Sequence, residues 1–161
     1  MSPPTPPPLA PREFIPRFDA AARNAGFVSQ QFGEIHGYPL CAYTKSAAPN
    51  ATVPRIYVSS GMHGDEPAPP WALLRLVEQD FFDDRATWFL CPILNPTGLV
   101  RGTRENFAGV DLNRDYKAPR TAEVHAHVAW LRTQPTFDVT FCLHEDYEAL
   151  GFYLYELNPD Q

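Results

Sequence analysis

Basic residues are in short supply in this 161-residue chain: 13 lysines and arginines stand against 19 acidic residues, for a formal net charge of −6. No Lys/Arg cluster interrupts that balance, which excludes a general nucleic-acid surface, because holding a phosphate backbone takes concentrated positive charge. Cysteine is scarce as well. Cys41, Cys91 and Cys142 are widely spaced and odd in number, so neither a CxxC zinc ribbon nor a disulfide framework is available, and they read as free thiols buried in strands. No apolar run is long enough to span a bilayer, and no basic segment followed by an apolar one opens the chain. A soluble cytoplasmic protein is therefore expected. Proline is abundant by contrast, with 18 residues. Its concentration near the start makes residues 1–12 a disordered, partly polyproline leader. With 44 % hydrophobic residues overall, the remaining 13–161 can bury one core but hardly two.

Apolar periodicity and turn residues divide that remainder into elements. A surface helix is expected over 14–25, then two strands joined at Gly37 and Pro39 over 32–44. An interior strand over 55–59 leads to a helix over 68–82, with Trp71, Leu74, Val77 and Phe81 on one face. A strand over 87–93, a helix over 123–132, a strand over 137–143 and an extended segment over 151–156 complete the series. Residues 95–114 are rich in glycine and polar groups and read as a solvated loop or, beside a site, as a substrate-binding one. Strands alternating with helices imply an α/β fold with a mixed, largely parallel central sheet flanked by helices. Ligands in such folds gather at the carboxyl ends of the strands.

Two histidines fall at such ends. His63 and Glu66 lie in Ser60-Gly61-Met62-His63-Gly64-Asp65-Glu66, directly after the 55–59 strand, where the glycines permit a compact turn. His144 follows the 137–143 strand. Two imidazoles and one carboxylate with an open fourth position suit a single catalytic Zn²⁺ better than Mg²⁺. Arg101, Arg104 and Arg114 offer planar donor forks for a carboxylate or an oxyanion, and Asn113 adds a neutral donor. His36, His125 and His127 read as surface or capping residues, the last two because i and i+2 on a helix do not face one direction.

With these motifs in order, the chain resembles the zinc carboxypeptidase family, including its aspartoacylase and succinylglutamate desuccinylase branch. His63-Gly64-Asp65-Glu66 looks like the first metal motif and Gly109-Val110-Asp111-Leu112-Asn113-Arg114 like the substrate-carboxylate motif; the similarity runs over about residues 56–155. The resemblance implies that His63, Glu66 and His144 bind one zinc ion and that Asn113 and Arg114 receive a substrate carboxylate. It also implies that an arginine, Arg104 ahead of Arg101, stabilises the oxyanion. The implied reaction is metallocarboxypeptidase-like: hydrolysis of a peptide or amino-acid amide beside a free carboxylate. The alternatives are an N-acyl amino-acid deacylase of the aspartoacylase type and a noncatalytic metal- or carboxylate-binding relative.

One departure stands out. The family's general-base glutamate lies well beyond the third metal ligand, whereas Glu145, Asp146, Glu148 and Glu156 follow His144 too closely to match it. The expectation is an N-terminal part of the catalytic domain, truncated at its C-terminus, with a further fragment or a second chain completing the fold.

Overall fold

The computed structural model describes residues 9–48 and 52–156, and the structural statements below refer to these. Helix α1 (Pro11–Asn24) begins inside the segment read as leader, and Leu9 before it is already buried; residues 1–8 of that leader lie outside the described residues. Pro11 opens α1, where a missing N–H costs nothing, and Phe14, Phe18 and Ala22 recur at every fourth residue as its buried face. Strands β1 (Val28–Ile35) and β2 (Tyr38–Lys45) form the expected hairpin, turning at His36 and Gly37.

Strand β3 (Arg55–Ser59) runs into the metal motif and then helix α2 (Ala68–Glu78), which stops four residues before the expected 82. Asp80 adopts a left-handed conformation there (φ 53°), which turns the chain and returns Phe82 to the core. Strand β4 (Thr87–Cys91) follows. Residues 95–114 are not a plain solvated loop. They contain helices α3 (Pro96–Arg101) and α4 (Leu112–Asp115), and the first four residues of α3 are buried. The Asn95 side chain caps α3 by accepting from Gly98 N at 2.8 Å, an N-cap signal that the glycine-rich composition masks. Helix α5 (Ala122–Leu131), capped by Thr121, leads to β5 (Val139–Cys142).

The sheet order is β1-β2-β4-β3-β5, with antiparallel pairings in the hairpin half and parallel pairings at β4-β3-β5, the half that carries the site. Alternation along the strands sorts side chains between two cores. Tyr43, Val58 and Leu90 pack with α1 and α2 on one face, while Ala42, Tyr57 and Phe89 pack with α5 and Leu112 on the other. Truncating Phe18, fully buried in the first core, costs about 3–5 kcal/mol on this basis.

Strand β5 is the edge next to β3, and it leaves Val139 and Phe141 about 40 % exposed. Of the three cysteines expected to be buried, only Cys91 is; Cys41 is half-buried, and Cys142 is exposed because β5 lies at the edge of the described sheet. Residues 152–156, read as an extended segment, join no strand of the described sheet. No described neighbour pairs with them, and Phe152, Leu154 and Tyr155 are exposed.

Candidate metal centre

The turn after β3 is built to hold an imidazole still. Gly61 takes a left-handed conformation (φ 61°), and its carbonyl accepts from Leu94 N and Asn95 N at 3.2 and 2.8 Å. Asn95 Nδ2 donates to Met62 O at 3.2 Å and Ser60 Oγ to Pro92 O at 2.7 Å. A Cβ on Gly64 would overlap the backbone of Gly98 and Leu99, so only glycine lets this turn lie against α3. His63 is consequently 2 % exposed and Glu66 6 %. After β5 the chain stays beside β3 through Leu143 N→Ser59 O (2.8 Å), which carries His144 to the same end of the sheet.

Glu66 joins the two histidines. Its Oε1 lies 2.7 Å from His63 Nδ1 and its Oε2 2.8 Å from His144 Nδ1, while Glu145 N donates to Oε2 at 3.1 Å. One ligand atom from each residue falls within 4.8 Å of the others. The outward nitrogens have partners of their own: His63 Nε2 is 3.2 Å from Asp111 Oδ1, and His144 Nε2 is 3.4 Å from Cys142 Sγ. Outer partners of this kind orient metal-binding histidines and leave the inner nitrogens for an ion. The donor set of two imidazole nitrogens and a carboxylate fits a zinc-type ion.

The same contacts set the charges. Burial pushes the Glu66 carboxyl up, but hydrogen bonds from His144, His63 and Glu145 N outweigh it and bring it down to about 2. His144 is raised to about 10, first by its bond to Cys142 and then by Glu66. Loss of surrounding water at the Cys142 sulfur and the Asp111 carboxyl pushes both up, and in both the partners win: His144 lowers the thiol, and Arg104 with His63 lowers the carboxyl.

The two candidate arginines are separated by the structure. Arg104 Nε donates to Asp111 Oδ2 at 3.0 Å, and its Nη1 stands 3.6 Å from Glu66 Oε1. Arg101 turns away to the Phe107 carbonyl (3.3 Å) and lies over the Phe107 ring. Asn113 and Arg114 are exposed on α4, directly after Asp111, which caps that helix by accepting from Asn113 N at 2.9 Å. Asp111 went unnoticed as a separate contributor in the sequence, where it reads only as part of the Leu112-Asn113-Arg114 run. A capping-type residue before a short helix was the available signal.

The carboxylates after His144 are engaged elsewhere or exposed. Glu145 Oε2 accepts from Ala68 N at the start of α2 (3.1 Å), and Asp146 accepts from the Tyr153 hydroxyl (2.7 Å). Glu148 and Glu156 are exposed. His127 departs from expectation: it is 3 % exposed, buried between Tyr57 and Tyr116. Its spacing of three residues from both Val124 and Trp130 places it on the apolar face of α5.

The succinylglutamate desuccinylase/aspartoacylase catalytic-domain family matches residues 52–159, which include every residue of this centre. The chain belongs to that family. No curated protein sequence is significantly similar to it. Among solved structures, this family member is similar to a candidate metallopeptidase from Shewanella denitrificans, with 26 % identity and a TM-score of 0.73 over 84 % of this chain and 52 % of that one. It also resembles the metallo-carboxypeptidase of Burkholderia cenocepacia (24 % identity, TM-score 0.76, 86 % and 42 % covered). A third is the metallo-carboxypeptidase from Pseudomonas aeruginosa in complex with (2-guanidinoethylmercapto)succinic acid (23 %, TM-score 0.72, 86 % and 40 %). The last two likenesses carry the fold alone. The chain spans about half the length of these solved chains or less.

Proposed function

We propose that His63, Glu66 and His144 hold one zinc ion and that the protein hydrolyses an amide bond beside a free carboxylate, in the manner of a metallocarboxypeptidase. The observation that carries this reading is the convergence of the three ligand atoms within 4.8 Å, with Arg104 beside them. A zinc ion held there supplies Lewis acidity toward a carbonyl and toward water. The Arg104 guanidinium faces the oxygen on which negative charge grows, so it favours the transition state over the neutral amide. Asp111 keeps both Arg104 and His63 in place. Asn113 and Arg114 bind the substrate carboxylate, which fixes the adjacent amide near the triad.

The family match favours a second reading with the same residues, in which the substrate is an N-acyl amino acid and not a peptide. Because this chain covers 52 % and 42 % of the first two solved relatives, the same reading gives the general base to a further segment or a second chain that completes the fold. A cytoplasmic setting belongs to the same proposal; no described helix is long and apolar enough to cross a membrane.

Zinc content and hydrolysis of short peptides and N-acyl amino acids test these readings together. About one zinc per chain is expected, with peptide turnover supporting the first reading and N-acyl turnover the second. Zinc without turnover in a completed fold identifies a noncatalytic metal-binding relative, and no zinc in folded protein overturns the site. In active protein, Arg104→Ala lowers kcat by roughly 100- to 1,000-fold. Arg101→Ala changes it little; the reverse order would exchange their roles.

A further inference from the structure

A second buried polar arrangement among the described residues lies between β3 and α5. His127 on α5 has Tyr57 Oη 2.8 Å from its Nε2 and Tyr116 Oη 2.5 Å from its Nδ1. Its ring stacks on Trp130 at 13° and packs against Phe32. The groups facing it from β1, β3, α4 and its own helix are thus phenols and rings, with no carboxylate or guanidinium among these contacts. Burial accordingly pushes its pKa down to about 4, and the ring is neutral at physiological pH. A neutral imidazole has one N–H and one lone pair, so one phenol accepts from it while the other donates to it.

The two phenols belong to the two parts of the site. Tyr57 lies on β3, the strand that delivers His63, and Tyr116 is the C-cap of α4, directly after Asn113, Arg114 and Asp115. With only four residues, α4 cannot hold itself as a helix and depends on its ties. Asp111 ties its start to His63 and Arg104. Asp115 ties it to the start of α5, with Oδ2 accepting from Thr121 Oγ1 at 2.7 Å and from Thr121 N at 3.0 Å. Tyr116 through His127 is its hydrogen-bonded tie to the sheet, beside the packing of Leu112 against Tyr57 and Phe89 in the same core.

We infer that His127 is a positioning residue: through Tyr116 it sets α4 against β3, and so sets the distance between the Asn113/Arg114 pair and the metal triad. The functional part of this inference rests on the carboxylate-binding role proposed for that pair; the mechanical part does not. The experiment separates them by measuring backbone amide exchange over residues 112–117, zinc content and succinate binding in the full chain. His127→Phe and Tyr116→Phe are compared with His127→Gln, which restores a donor and an acceptor.

Both phenylalanine variants are expected to speed exchange over 112–117 by tenfold or more while β3 and β4 stay protected and zinc content is unchanged. Succinate binding weakens about tenfold, and His127→Gln recovers most of both effects. Unchanged exchange over 112–117 in Tyr116→Phe, which removes one hydroxyl and keeps the fold, overturns the inference. So does a uniform loss of protection, which marks a purely structural histidine. Failure of Arg114→Ala to affect succinate binding counts against the proposed function alone, and exchange still decides the role of His127.

Discussion

On the α5 side of the sheet His127 is walled in by Phe32, Tyr57, Tyr116 and Trp130, whereas at the strand ends His144 faces the Glu66 carboxylate and the Cys142 thiol. The first imidazole is pushed down to about 4 and the second up to about 10. Burial alone disfavours charge in both. The difference therefore comes from the partners: phenols bond a neutral ring, while the Cys142 sulfur and then the Glu66 carboxylate stabilise a charged one. A neutral histidine is useful as a fixed strut, and one held beside a buried carboxylate is ready to exchange its proton for a cation.

The largest expected difference is in metal binding. His144→Ala should weaken zinc by more than about 100-fold, since even outer-sphere substitutions cost 10- to 100-fold. His127→Gln should leave zinc affinity unchanged. Titration calorimetry on the two variants checks the pair, and equal losses would erase the distinction.

The second contrast is acid stability. The folded-state pKa of His127 lies below its ordinary value of 6.5, so as pH falls the unfolded chain takes up a proton before the folded one does. This contribution is complete above about 6.5 and is lost as pH falls toward 4, a change on the order of 3 kcal/mol. Urea unfolding at pH 7 and pH 4.5 should show that loss in the wild type and a much smaller one in His127→Gln. Equal losses would mean that other groups carry the acid sensitivity.

His144 yields a graded effect of opposite character. Its proton competes with the ion, so zinc affinity should rise about tenfold per pH unit over the range in which one proton is released per ion. Proton release measured by calorimetry in buffers of different ionisation enthalpy gives the stoichiometry, and a value of zero would show that the ion displaces no proton from His144. The smallest effect is expected from Cys142→Ala, which should let the His144 pKa fall back toward the ordinary range in metal-free protein, read by NMR. No movement would leave Glu66 as the sole cause.

How legible these features were in the sequence follows from how local each one is. Strand β3, the turn after it and the spacing of His63 and Glu66 show in the local pattern of a short apolar run followed by glycines, although the turn is held in place by Leu94, Asn95 and Gly98 from farther along the chain. Arg104 and Arg101 looked alike because the turn between α3 and α4 that separates them involves Thr97, Asn106 and the Phe107 backbone. His127 was obscured by His125, since the pair at i and i+2 suggested a solvated helix, although the face shared with Val124 and Trp130 was there to be read. The exposure of Cys142 and of Phe152 was not legible at all. It depends on which strand lies beside β3, a property of the whole sheet.

The contact between Gly64 and Gly98 also bears on how the centre moves. Where two backbones meet with no side chain between them, no change of rotamer can relieve pressure from either side. The His63 turn and α3 therefore travel as one block, bound also through Asn95. The backbone of Arg104 belongs to the same block, because Asn95 Nδ2 also lies 3.3 Å from the Arg104 carbonyl that accepts from it, and Thr103 N donates to Gly98 O at 3.1 Å. The seat of His63 and the backbone of Arg104 therefore shift together or not at all.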